Sequence, residues 1–202
     1  MHRNKVVLAT HNAGKLRELR ALLSETDLEC KSQAECRVPE IPETGQTFFE
    51  NALIKARNAC RYSGLPSIAD DSGLVVDCLQ GAPGVHSARF AGEKATDSDN
   101  LKKLLQAVEE FSAKERTARF KCAMVYLRSE SDPSPLISVG TWEGRISMTA
   151  RGRHGFGYDP VFLVIDLKRT SAELEPQEKN RLSHRGQALR DFRAKFASLC
   201  KT

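Results

Sequence analysis

Short apolar runs alternating with segments of helical period predict an α/β chain, and three stretches carry the prediction. Lys5 to Ala9 is an apolar strand that leads through Thr10-His11-Asn12-Ala13-Gly14-Lys15 into a helical recurrence of Leu16, Leu19, Leu22 and Leu23. Ser67 to Asp77 is an apolar run interrupted by adjacent carboxylates, Asp70 and Asp71, followed by Ser72 and Gly73. Arg119 to Leu127 and Leu136 to Trp142 read as two long strands joined by a Ser/Pro/Asp-rich turn at 129–135, the pattern of an antiparallel pair.

At 202 residues the chain suits one domain, or one domain with two lobes, and can bury most of its apolar surface without staples. No apolar run approaches the roughly 20 residues that span a bilayer, and Met1 to Leu8 has no signal-type h-region with a cleavage site. The expected location is therefore cytoplasmic, with no membrane partner. Cys30, Cys36, Cys60, Cys78, Cys122 and Cys200 are scattered without a C-x-x-C pair, so they are read as small hydrophobes rather than zinc ligands or disulfides. A net charge of +5 suits an anionic small substrate or nucleic acid. The basic residues are distributed, however, and no Lys/Arg block forms a basic arm.

Taken in order, the first strand, its Asn/Gly loop and the helix start form a ready anion site, with free N–H groups, the helix dipole and Lys15 facing one place. The same pattern also describes an Asn-capped helix with a surface lysine, and it lacks the G-x-x-x-x-G-K-[ST] spacing. Leu28 to Lys31 suits a second strand. Pro39 to Gly45 cannot be regular structure, given its two prolines and glycine. Thr47 with Glu50 three residues on forms a capping box for a helix that runs to Ser63 and is stopped by Gly64 and Pro66. Glu50 is thus a cap, and Glu43, on the constrained loop, is the better metal candidate.

In Asp70-Asp71, strand alternation would aim only one carboxylate at a site. A turn at Ser72-Gly73 lifts that limit and lets both approach one region. Two carboxylates so placed repel each other unless a cation relieves them, and a hard ion such as Mg2+ does so while keeping waters for substrate phosphates. A solvated turn explains the pair equally well on its own. Beyond it, Gly81 to Gly84 turns the chain, and Thr96 caps a helix with Leu101, Leu104, Leu105 and Val108 inward. Gly155-Phe156-Gly157-Tyr158-Asp159-Pro160 precedes a strand at Val161 to Ile165. Its glycines and aromatics suit backbone held against something flat, such as a base, or aromatics that plug the core. Lys179, Arg181, His184 and Arg185 crowd positive charge ahead of a final amphipathic helix and invite a phosphate or a base edge.

These blocks together resemble the XTP/dITP diphosphatases, also called inosine triphosphate pyrophosphatases. The matching residues are Thr10-x-Asn12-x-x-Lys15, Glu43-Thr44-Gly45, Phe49-Glu50-Asn51-Ala52-x-x-Lys55-Ala56, Ala69 to Leu74, Gly155 to Pro160 and Ser183-His184-Arg185-Gly186. They span residue 6 to about 190 in that family's order. The resemblance implies hydrolysis of ITP, dITP and XTP to the monophosphate and pyrophosphate, Mg2+ dependence and a homodimer. It also implies an elongated central mixed sheet flanked by helices, in two lobes with a cleft between.

Carried over by position, Thr10, Asn12, Lys15 and Lys55 would hold the triphosphate. His11, Ala13 and Gly14 fall in the same substrate loop, although the His11 imidazole has no specific role. Glu43 and Asp71 would hold the metal. Asp71 would be the general base with Asp70 in support, and Ser72 would touch the nucleotide. Phe156 would stack on the purine beside Gly157, Tyr158 and Asp159, while Lys179, His184 and Arg185 would meet the base and ribose. Two rival readings stand beside this one. A Maf-like pyrophosphatase for pyrimidine or methylated nucleotides shares a similar fold, and a basic nucleic-acid binder without catalysis would account for the charge but not for the carboxylates.

Overall fold

A computed structural model of the chain describes residues 4–24 and 26–199; Met1 to Arg3 and Cys200 lie outside the described residues. Seven strands form one mixed sheet: β1 (Asn4–Leu8), β2 (Leu28–Ser32), β3 (Ser67–Val76), β4 (Thr117–Leu127), β5 (Leu136–Ile146), β6 (Phe162–Val164) and β7 (Arg169–Thr170), ordered β2-β1-β3-β4-β5-β6-β7. β1 is parallel to both β2 and β3, whereas β6 is antiparallel to β5 and to β7. The helices are α1 (Ala13–Leu23), α2 (Phe48–Ser63), α3 (Asp97–Ala107), α4 (Pro176–Leu182) and α5 (His184–Leu199). None of the described helices is long and apolar enough to cross a membrane.

The chain divides into two compact units. The first takes the described residues up to Asp71, Cys122–Val139 and those from Gly186 on; the second takes Ser72–Lys121 and Gly140–Arg185. In the first unit, strand alternation splits the apolar residues between two cores. Val6, Leu8, Ile68 and Met124 face Leu19 and Leu23 of α1 and Leu189 and Phe192 of α5. Val7, Ala9, Ala69 and Val125 face the Ala52, Ala56 and Ala59 stripe of α2, whose small side chains bring that helix close to the sheet. The second unit has a single core among the described residues, in which Leu74, Val76, Phe120, Trp142 and Phe162 pack with Leu104 of α3 and Val108 at its C-terminal end.

Local signals fix most element boundaries. Thr47 and Glu50 make the reciprocal capping box of α2, and Gly64 closes that helix in the left-handed conformation at φ 66°. Thr96 and Asp99 cap α3 in the same way. Three expectations are corrected. No turn interrupts Ser72-Gly73, because β3 runs unbroken to Val76. The strand expected at Val161 to Ile165 is only Phe162–Val164, since Ile165–Leu167 coils into a 3-10 turn. Lys179 and Arg181 lie within a separate helix, α4, which Pro176 opens, and His184 and Arg185 lie in the first turn of α5.

The turn after β4 is locked by one carboxylate. Asp132 accepts from Arg128 Nε at 2.8 Å and Nη2 at 2.6 Å, and from the Arg128 and Ser134 amides at 3.0 and 3.1 Å. The Arg128 guanidinium bonds hold the Asp132 carboxyl far below the usual carboxylate range. A group so depressed contributes stability above its unfolded pKa of about 3.9 and loses it as pH falls through the folded value. Asp132→Asn is expected to cost about 1–2 kcal/mol at pH 7 in denaturant unfolding. The difference from wild type should shrink progressively below about pH 4.

Candidate active site

Within the first unit, the carboxylates and lysines singled out by the sequence converge. The Thr10 hydroxyl accepts the Asn12 N–H at 3.2 Å and the Asn12 side chain accepts the Lys15 N–H at 2.9 Å, so this loop is a capped helix start. Ala13 and Gly14 form the first residues of α1, and Gly14 is buried. The cap does not leave Lys15 on the surface. Its side chain is 12% exposed, and its ammonium lies 3.5 Å from Asp70 Oδ2 and 3.8 Å from Asp71 Oδ1.

How one lysine reaches both carboxylates follows from the register. β1 pairs with β3 only at Val7↔Ser67 and Leu8↔Ile68, so Asp70 and Asp71 lie beyond the last β1 partner. The Lys15 side chain, entering from the first turn of α1, reaches both carboxylates although β3 makes no turn there. His11 sits apart from this cluster: its ring meets Gln33 Nε2 at 2.6 Å and lies 3.9 Å from Glu40.

Lys55 is the second cation. Its Nζ is 2.9 Å from Glu43 Oε1 and 3.0 Å from Asp71 Oδ1. Burial alone would pull the Lys55 ammonium down, but attraction to Asp71, Glu43 and Asp70 outweighs it and holds the group above its ordinary value. Glu50 keeps to the cap, accepting from the Gln46 and Thr47 amides at 2.7 and 3.0 Å. Among the described residues no group of three or more His, Cys, Asp or Glu is placed to hold a metal ion. Glu43 and Asp71 nevertheless already share one cation, the Lys55 ammonium. Two carboxylates of this kind fit a small hard ion that takes its other ligands from phosphate and water.

The second unit holds a separate aromatic and basic set. Asp159 is its hub, buried and accepting from Phe156 N at 2.9 Å, Ser171 Oγ at 2.8 Å and Lys179 Nζ at 2.6 Å. Phe156 is half-buried, with Lys179 Nζ 5.1 Å and Arg185 Cζ 5.9 Å from its ring centroid. Arg185 donates to Ser72 Oγ at 2.8 Å, and the His184 ring stacks on Phe120 with centroids 4.9 Å apart. Lys179, His184 and Arg185 are all buried, whereas Arg181 is exposed. Tyr158 faces the core: it is 5% exposed, packs with Trp142 and Phe162, and donates to Ser87 O at 2.8 Å. Burial, with Asp97 adding to it, raises its phenol pKa.

A model of the Ham1 family matches residues 6–195. The chain belongs to the Ham1 family. A Vibrio parahaemolyticus protein named dITP/XTP pyrophosphatase is 56% identical over 194 residues, which is 96% of this chain and 97% of that relative. A Methylococcus capsulatus protein of the same name is 57% identical over 186 residues, 92% of each chain. The solved structure of a HAM1 protein from Coxiella burnetii superposes with a TM-score of 0.89 at 48% identity, covering 96% of this chain and 99% of that one.

Two polar residues of this Ham1 chain carry roles that the sequence reading did not give them. Asn51 is fully buried between the Glu43 loop and Asp71, and its signal was its place one helical turn before Lys55, which puts both on one face of α2. Asp97 accepts the Gly157 N–H at 2.7 Å and so tethers the aromatic loop to α3. Its only sequence signal was its place just after the Thr96 cap.

Gly155 must be glycine for two reasons. Its φ is +81°, and a Cβ there would lie 2.1 Å from Asp159 Oδ2. Gly155→Ala is therefore expected to dislodge the Asp159 hub and cost about 3 kcal/mol or more in denaturant unfolding. Gly157 also has positive φ, +60°, but a Cβ there would meet nothing within 4 Å. Gly157→Ala should cost only about 1–2 kcal/mol.

Proposed function

We propose that this chain is a nucleoside triphosphate pyrophosphatase, a hydrolase acting on acid anhydrides. It converts the non-standard purine nucleotides ITP, dITP and XTP to the monophosphate and pyrophosphate, with Mg2+. In this reading it acts as a cytoplasmic homodimer whose two units form a single nucleotide pyrophosphatase domain. The observation that carries the proposal is the meeting of Glu43, Asp70 and Asp71 with Lys15 and Lys55, in a chain whose Ham1 relatives bear the name dITP/XTP pyrophosphatase.

The chemistry is attack of water on the α-phosphorus. A new P–O bond forms, the bond from the α-phosphorus to the bridging oxygen breaks, and pyrophosphate leaves with the electron pair. The N-terminal turn of α1, with Thr10 and Asn12 before it, receives phosphate oxygens by its N–H groups and positive dipole end. Lys15 and Lys55 place point charges where negative charge develops on the leaving group. Asp71, held by Lys55 and Lys15, takes the proton of the attacking water, and Asp70 shares the positive charge of Lys15. Mg2+ held by Glu43 and Asp71 would supply charge neutralisation at the phosphates and acidify water.

Within the second unit, the half-buried Phe156 offers a stacking face for a purine. Arg185 or His184 offers a donor that pairs with the 6-oxo group of hypoxanthine and xanthine and is left unmet by adenine. Asp159 and Tyr158 support this wall from behind, given their buried hydrogen bonds. A nucleic-acid binder would have no use for carboxylates buried against its own lysines, so that reading is set aside.

With ITP and Mg2+, the wild type is expected to release pyrophosphate and IMP, and Asp71→Asn should lower kcat by about 10²–10⁴. Orthophosphate as product would exclude attack at the α-phosphorus, and no turnover of ITP or XTP would exclude the reading. Phe156→Ala should raise KM for ITP roughly 5- to 150-fold with little change in kcat, as expected when about 1–3 kcal/mol of base stacking is removed.

A further inference from the structure

We infer that Asn51 is a positioning residue that sets the spacing between Asp71 and the Glu43 loop. The inference rests on the catalytic reading above for these two carboxylates. Asn51 is 0% exposed, and its side chain faces both ways. Its Oδ1 accepts the Gly45 backbone N–H at 2.8 Å, two residues after Glu43, and its Nδ2 lies 3.4 Å from Asp71 Oδ2, at the long end of a hydrogen bond.

The orientation of the amide is forced. A backbone N–H can only donate, so the oxygen must face Gly45, and the NH2 group is left to face the carboxylate. Asp71 is thereby given distinct oxygens, Oδ2 toward Asn51 and Oδ1 toward Lys55 and Lys15. Gly45 shows how close the fit is, because a Cβ there would lie 2.7 Å from Asn51 Oδ1.

The same face of α2 anchors the loop at its other end. Asn58 Nδ2 donates to Pro39 O at 2.8 Å, and Lys55, between the two asparagines, meets Glu43. Residues 51, 55 and 58 follow the i, i+4, i+7 stripe of a helix. One helix face therefore grips the proline-containing loop at Pro39 and Gly45 and presents Glu43 to the cation shared with Asp71. Loss of this amide would leave Asp71 buried without one of its donors and the loop free at Gly45.

The test measures kcat and KM with ITP and Mg2+ alongside hydrogen exchange of the Gly45 amide, for wild type, Asp71→Asn, Asn51→Ala and Asn51→Asp. Asn51→Ala is expected to lower kcat about 10- to 100-fold with KM within about threefold, and to lose protection at Gly45. Asn51→Asp keeps an acceptor for Gly45 but sets an acceptor against Asp71. It should therefore restore protection at Gly45 while kcat stays low, a split that a merely structural role would not produce. If Asn51→Ala fails to fold, Asn51→Asp alone carries this comparison with wild type.

Wild-type kcat in either folded variant, or recovery of kcat together with Gly45 protection in Asn51→Asp, would overturn the inference. An active wild type with an inactive Asp71→Asn confines such a failure to Asn51. A wild type that leaves ITP untouched would overturn the catalytic reading and this inference with it.

Discussion

Burying Asp70 and Asp71 is the constraint on which the first unit depends. Each ionised carboxylate taken out of water costs several kcal/mol unless a cation and hydrogen bonds accompany it. Here that compensation comes from two helices at once: Lys15 enters from the first turn of α1 and Lys55 from the middle of α2. Each helix is fixed by its own cap and packs on a different core of the same strands. The charges are thus held by elements whose placement is decided by apolar packing. Removing Lys55 would leave Asp71 facing the more distant Lys15 ammonium, so the cost would exceed that of losing a surface contact.

The second unit repeats the principle with different partners. Asp159 is buried, and a lysine, a hydroxyl and a backbone amide answer it. Gly155 makes room for it, and Asp97 ties Gly157 to α3. The result is a fixed loop from which Phe156 projects half-buried, with two cationic groups near its ring. Rigidity at this point has a functional value in the proposed reaction, since a stacking face recognises a base at low entropic cost only when it is already in place.

Much of this was legible before any coordinates. The capping box at Thr47, the cap at Thr96, the helix stop at Gly64 and the apolar stripe of α3 were readable because they depend on neighbours within a few residues. The carboxylates and lysines of the candidate site were readable as residue types in a pattern. The Ser72-Gly73 turn was misread because small turn-forming residues yield when sheet pairing and burial favour an extended chain, and β3 is buried along most of its length. The basic cluster at 179–185 was misplaced for a related reason: Pro176 signalled a helix start that the density of charge obscured.

By itself, then, the sequence determined the local conformations, the alternation that divides the cores, and the presence of carboxylates, lysines and a Gly-aromatic loop in one chain. Only the tertiary structure decided which of those charges are buried and what each one meets. Lys15 reads in sequence as a helix-start cation and Arg185 as one of a basic cluster, yet the first lies within 4 Å of both aspartates and the second is 1% exposed against Ser72. The difference is physical: conformation follows from short-range sterics and hydrogen bonds, whereas the environment of a charge depends on residues tens to more than a hundred positions away. Asn51 illustrates the point, since its helical position could be read from its neighbours but its two partners could not.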